Sequence, residues 1–180
     1  MTNYPKRFLH VACGPARKAD LIIKDFADWE ETRLDIVEDF DPDIRSDMRT
    51  LTGVPDESFD GLYCSHALEH VHAFDVVKCL QAFRRVLKSD GFVFLIVPNL
   101  LGACRAIVEG SNAPFYDSPA GPIFAREVLF GKENWTAEQP FMRHLTGFTP
   151  EYFRGLIVGA GFHPTFFQAD DFNILVGAKK

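Results

Sequence analysis

Phe8-Leu9-His10-Val11-Ala12-Cys13-Gly14-Pro15 is the stretch on which the fold turns. A short apolar run ends in a glycine turn. A second run, Arg33 to Val37, carries an acid, Asp35, and a third, near Asp43 to Ser46, is followed by another, Asp47. A strand, a glycine turn and a carboxylate about 20 residues on is how a nucleotide-like ligand is held at the carboxyl edge of a parallel sheet.

Arg7 to Ala12 is the first strand. After Gly14, Pro15 suits the first position of a helix, and Ile22, Phe26 and Trp29 fall at helical spacing. The β-branched pair Ile22-Ile23 works against it, so Cys13 to Thr32 is expected to hold a short or irregular helix. Only Glu38 to Pro42 separates the second and third strands. That leaves no room for a crossover helix, so the helices on one side of the sheet are abridged.

Phe59 to Ser65 is the fourth strand, after the turn cluster Val54 to Ser58. Phe74 to Lys88 is the clearest helix, with Val76, Leu80, Phe83 and Leu87 in one stripe, and Asp90-Gly91 ends it. Phe92 to Val97 is a continuous apolar run, the mark of a strand buried on both faces. Thr149-Pro150 caps a last helix, Glu151 to Ala160, which Gly161 ends. Thr165 to Gln168 and Asn173 to Ala178 read as a closing antiparallel hairpin.

Residues 99–147 stand apart. Helical patterns at Leu100 to Glu109 and Ile123 to Phe130 flank a Pro/Gly-rich stretch, Ala113 to Pro122. Long connections in compact domains are usually functional, so this segment is expected to be a lid and substrate pocket within a single domain, 1–180.

Length and composition set limits on this reading. The 180 residues suffice for one domain with a two-sided core. A net charge of -6 argues against nucleic acid as a partner. The 18 Phe are expected in part to line a cavity. Cys13, Cys64, Cys79 and Cys104 form no C-x-x-C pair and read as reduced, mostly buried thiols. The longest apolar run is too short to span a bilayer, and no targeting segment is evident, so a cytoplasmic protein without membrane contact is expected. Nothing indicates the oligomeric state.

In order and spacing, Cys13-Gly14-Pro15, Leu34-Asp35-Ile36, Ser46-Asp47-Met48, Ser58-Phe59-Asp60, His66-Ala67-Leu68-Glu69-His70, Arg85 to Gly91 and Val97-Pro98-Asn99 resemble the class I S-adenosylmethionine-dependent methyltransferases. The small bacterial type 11 group is the nearest. The resemblance implies an α/β, Rossmann-like, seven-stranded sheet, mostly parallel with a C-terminal antiparallel hairpin. It implies S-adenosyl-L-methionine as cofactor and, for this chain, a small-molecule hydroxyl or amine as methyl acceptor. Asp35 would take the ribose diol, Ile36 the adenine face, Asp47 and the Met48 backbone the adenine edge. Ala12, Cys13, Gly14 and Ser65 would surround the methionine end. The chain departs from the family in having Gly14 alone where the first motif has two or three glycines, and it lacks the N-terminal helix of many relatives. Both departures keep open a non-catalytic S-adenosylmethionine-binding regulatory protein.

His66 and His144 are the candidate bases for a hydroxyl acceptor, since imidazole titrates near neutrality. His66-x-x-Glu69-His70 also matches the H-x-x-E-H of inverted zinc peptidases, but there the pattern lies within a helix and here it follows a strand. Ubiquinone-biosynthesis and small-RNA methyltransferases hold a divalent metal with E-x-x-E-H at the matching place, and this chain has His66 where they have the first Glu. The expectation is no metal, with His66, Glu69 and His70 as the alternative ligand set and His144 as a further ligand from the lid. Two imidazoles and a carboxylate would suit zinc or manganese better than magnesium.

Overall fold

Seven strands form one sheet in the order β3-β2-β1-β4-β5-β9-β8. The computed structural model describes residues 5–118, 121–133 and 139–180. Its parallel part is β1 (Arg7–Val11), β2 (Glu30–Asp35), β3 (Ile44–Arg45), β4 (Phe59–Ser65) and β5 (Leu87–Pro98). Between β5 and the end of the chain come a two-stranded hairpin, β6 (Tyr116–Ser118) and β7 (Gly121–Ile123), and the closing strands β8 (His163–Ala169) and β9 (Asn173–Lys179). Strand β9 runs antiparallel to both β5 and β8. The expected architecture, closing hairpin included, is what forms.

Strand β1 is central because its side chains are buried on both faces, with Phe8, Leu9 and Val11 fully buried. One face packs on α1 (Ala73–Val86) and α4 (Pro150–Gly159), through Val76, Leu80 and Phe83 of the first and Phe153 and Ile157 of the second. Thr149 caps α4 by accepting the Tyr152 N–H.

The other face is covered differently from the expectation. No α-helix forms between Cys13 and Thr32; a single 3-10 turn, Lys18–Asp20, is the only helical element there. Aromatic rings cover the sheet instead. Phe26 stacks on Phe8 at 4.4 Å and on Phe92 at 5.2 Å, and Trp29 stands edge-on to Phe26 and Phe92. Four of the Phe, Phe8, Phe26, Phe92 and Phe94, are used in this packing. The slab fits because Gly61 has no side chain: a Cβ there would lie 2.6 Å from Phe26 Cε1 and 2.9 Å from Trp29 Cζ3. Gly61→Ala is therefore expected to destabilise by about 1–3 kcal/mol through overpacking, a loss that thermal unfolding would show.

Three boundaries also differ. The second strand is Glu30–Asp35, not Arg33 to Val37. It ends there because the Asp35 carboxylate accepts the Val37 N–H at 2.9 Å and turns the chain out of the sheet. Helix α1 stops at Val86, and β5 starts at the next residue. The junction is fixed by Phe59 pairing with Leu87 and by Lys88 bonding Asp60 at 2.7 Å. The Pro/Gly-rich stretch contains the β6–β7 hairpin, in which Tyr116 pairs with Ile123 and Ser118 with Gly121.

The segment from Asn99 onward carries α2 (Leu100–Val108) and α3 (Ala125–Phe130), which close a small core of Ala103, Ile123, Ala125 and Val128. Its positions 119–120 and 134–138 lie outside the described residues. Both ends of the segment meet: Asn99 bridges Phe148, and the Leu100 N–H donates to the Phe148 carbonyl at 2.9 Å. No described helix is long and apolar enough to cross a membrane.

Candidate active site

The carboxyl ends of β1 and β4 carry two strained residues side by side. Ala12 follows β1 at φ 51° and His66 follows β4 at φ 50°. Non-glycine residues with left-handed backbone cost energy and concentrate at functional sites. The register of β1 on β4 pairs Val11 with Cys64, so the two distortions face the same sheet edge.

Gly14, at φ 50°, completes the turn out of β1, and nothing lies within 4 Å of where its Cβ would be. The Gly14 N–H donates to Asp35 Oδ2 at 2.8 Å, and the Cys13 N–H to the Leu34 carbonyl at 3.1 Å. Asp35 is buried. Each of its oxygens accepts one backbone N–H, which leaves a lone pair on each for a ligand. Ile36 follows it with an exposed apolar side chain. Gly14, Asp35 and Ile36 thus lie together at the sheet edge.

Asp47 is placed at the end of β3, but its acceptor capacity is taken up locally. Arg49 grips both oxygens with its guanidinium and adds its own backbone N–H at 2.8 Å. The Arg49 hydrogen bonds hold the Asp47 carboxyl below its usual range. Ser65 is the last residue of β4, where it pairs with Ile96 of β5. Met48 is half-buried and packs against the main core. Burial pushes the Cys13 thiol up to about 11, so it lines the turn as a neutral group.

Arg33 lies outside the set of site residues that the sequence points to. It is 3% exposed, yet its guanidinium donates to the carbonyls of Gly14, Ala16, Phe40 and Asp41. It clamps the glycine turn to the loop after β2. The strand reads Glu-Glu-Thr-Arg-Leu-Asp and carries no local signal of this; the tertiary fold buries the guanidinium, where a charge survives only if fully partnered.

The sequence pattern of a family described as "Methyltransferase domain" matches residues 9–95, from β1 through most of β5. Residues 9–95 carry the pattern of a methyltransferase domain, on a Rossmann-like methyltransferase fold. No curated protein matches the chain by sequence. Solved structures share the fold at low identity. An S-adenosylmethionine-dependent methyltransferase from Mesorhizobium loti is 16% identical, with a TM-score of 0.65 over 98% of this chain and 91% of that one. The 1,6-didemethyltoxoflavin-N1-methyltransferase of Burkholderia thailandensis, solved with 1,6-didemethyltoxoflavin and S-adenosylhomocysteine, is 17% identical. Its TM-score is 0.59 over 98% of this chain and 71% of that one.

In this methyltransferase domain the turn Leu68–His70 follows His66 directly. Glu69 is 2% exposed, and His66 Nδ1 lies 3.6 Å from its Oε1. Burial pushes the Glu69 carboxyl up, but His66, His70 and His144 outweigh it and bring it down to about 2. The Glu69 carbonyl accepts the N–H groups of Leu145 at 2.7 Å and Thr146 at 3.1 Å. This pins the end of the 99–147 segment to the sheet edge and stands His144 edge-on to His70 at 4.9 Å. Burial lowers the His144 pKa. A cavity of about 370 Å³ opens beside it, lined by Arg126, Glu127, Phe130, Arg143 and Leu145 among others. A second, of about 460 Å³, lies against α2 and includes Ile107, Asn112 and Phe124. Both belong to this segment, not to the turn at Gly14.

Proposed function

We propose that the domain transfers a methyl group from S-adenosylmethionine to a small-molecule hydroxyl or amine. Residues 99–147 form the lid and hold the acceptor. The observation that carries this reading is the carboxylate of Asp35. It is buried at the sheet edge and tied to Gly14, with one acceptor site left on each oxygen. A ribose diol needs just such an acceptor, and the exposed Ile36 beside it offers an apolar face to a base. The open space in front of Gly14 admits the methionine end without further glycines. With the Arg49 fork on Asp47, that carboxylate serves an adenine amino group only when Arg49 swings aside, so the Met48 backbone takes the larger share of that edge.

When bound, the cofactor supplies a methyl group on an already activated sulfonium. The protein's part is alignment, exclusion of water and removal of one proton. His66 stands at the end of β4 with its ring beside Glu69. Glu69 orients the ring and stabilises the imidazolium that forms when His66 takes the acceptor's proton. His144 forms part of the acceptor cavity wall.

Calorimetry with S-adenosylhomocysteine tests the assignment. The unaltered protein should bind it saturably, and Asp35→Ala should weaken binding at least tenfold, since a hydrogen bond to a charged acceptor is worth about 1.5–3 kcal/mol. Unchanged affinity in Asp35→Ala would remove Asp35 from the site, and no binding by the unaltered protein would overturn the proposal.

A further inference from the structure

Glu69, His70 and His144 each bring one atom able to ligate a metal within 4.8 Å of the other two. The alternative set expected from sequence was His66, Glu69 and His70 with His144 as a further ligand; the structure groups the last three and leaves His66 out. The structure turns His66 toward Glu69 Oε1 and leaves Glu69 Oε2 facing no donor. That oxygen is buried on a side chain that is 2% exposed. A buried carboxylate oxygen without a hydrogen bond is costly, and such orphans call for an explanation.

The two imidazoles supply the explanation. His144 Nδ1 lies 2.8 Å from the Val128 carbonyl, and His70 Nδ1 lies 3.2 Å from the Arg143 carbonyl. A carbonyl only accepts, so each Nδ1 carries the proton and each Nε2 keeps its lone pair. An imidazole held by one nitrogen on a backbone carbonyl, with the other nitrogen free, is how metal-binding histidines are oriented. The backbone bonds from Leu145 and Thr146 to the Glu69 carbonyl hold the lid histidine in register with the other two groups.

We propose that Glu69 Oε2 and the Nε2 atoms of His70 and His144 bind one divalent transition-metal ion of the zinc type. Two imidazoles and one carboxylate are a three-ligand zinc set that leaves a position open. Magnesium and calcium prefer oxygen ligands throughout. Bonds of about 2.0–2.2 Å place ligand atoms roughly 3–4 Å apart, so closure on the metal asks only for small side-chain rotations. His144 also lines the cavity beside Arg126 and Arg143, so the site borders that cavity. A role in holding an acceptor oxygen there rests on the methyl-transfer reading; the metal site itself does not.

Metal-free protein titrated with Co²⁺, followed by its visible absorption and by displacement with Zn²⁺, tests the site. One equivalent of Co²⁺ should saturate the protein, Zn²⁺ should displace it, and millimolar Mg²⁺ should not. His144→Ala and His70→Ala should each weaken binding more than about a hundredfold, beyond the 10–100-fold typical of a lost outer partner. The fold of each variant is checked by thermal unfolding, and Glu69→Gln gives a third reading on the same site. No saturable binding by the unaltered protein would overturn the proposal, as would affinity unchanged in His144→Ala and His70→Ala. The titration contains no cofactor or acceptor, so its failure and a failure to bind S-adenosylhomocysteine are separate results.

Discussion

Turnover of a hydroxyl acceptor by His66→Ala is expected to fall about 10²–10⁴-fold, the usual range for a lost general base, while S-adenosylhomocysteine affinity stays unchanged. His66 follows the last residue of β4, and its N–H is fixed to the Ile96 carbonyl at 2.9 Å, so the ring starts from a rigid position. Its side chain is 38% exposed, so truncation removes little packing. Kinetics and calorimetry on one variant separate the two effects; an equal loss of both would make His66 a structural residue. A second substitution probes the strain at φ 50°. Alanine keeps the left-handed cost, whereas glycine removes it. His66→Gly is therefore expected to be as inactive as His66→Ala yet more stable than it. Those two outcomes together would identify the distorted backbone as the cost of aiming an imidazole at the acceptor.

Arg33→Met should lower the melting temperature by about 6–12 °C, from a loss of roughly 3 kcal/mol or more, and should abolish tight S-adenosylhomocysteine binding. Methionine keeps much of the side-chain volume but donates nothing. Four carbonyls, those of Gly14, Ala16, Phe40 and Asp41, then lose their partner in a site that is 3% exposed to solvent. Water can reach some of them only if the glycine turn moves. That movement carries the Gly14 N–H away from Asp35, so stability and affinity should fall together. Differential scanning calorimetry and the same ligand titration give both numbers. A variant that melts normally and binds normally would show that the turn holds its shape without the clamp.

The sheet was legible because its signals are local. The Phe92 to Val97 run is apolar without interruption, Leu62 to Cys64 is an apolar stretch of its own, and Val76, Leu80 and Phe83 repeat at helical spacing. Gly14 and Asp35 could be paired because their offset is set by one strand, one connection and a second strand. The Cys13 to Thr32 connection misled because Ile22, Phe26 and Trp29 carry helical spacing for another reason. Phe26 and Trp29 are placed to reach Phe92 across the sheet, a long-range fact absent from any local period. Arg33 was hidden for the same reason: its partners, the carbonyls of Gly14, Ala16, Phe40 and Asp41, are brought in by tertiary folding. His144 was legible as a further ligand, but that it and not His66 completes the group with Glu69 and His70 depends on the path of residues 99–147, which no short pattern specifies.

The bridge between Asn99 and Phe148 has a consequence for how such a protein can diversify. The insert leaves the sheet and returns to it at neighbouring points, with the Leu100 N–H bonded to the Phe148 carbonyl. Everything between them can lengthen, shorten or be exchanged without altering the spacing of the strands beneath. On the proposed function, the acceptor chamber would be a cassette plugged into a constant nucleoside grip. New chemistries can be sampled by swapping it, provided each replacement restores the two contacts to the Glu69 carbonyl.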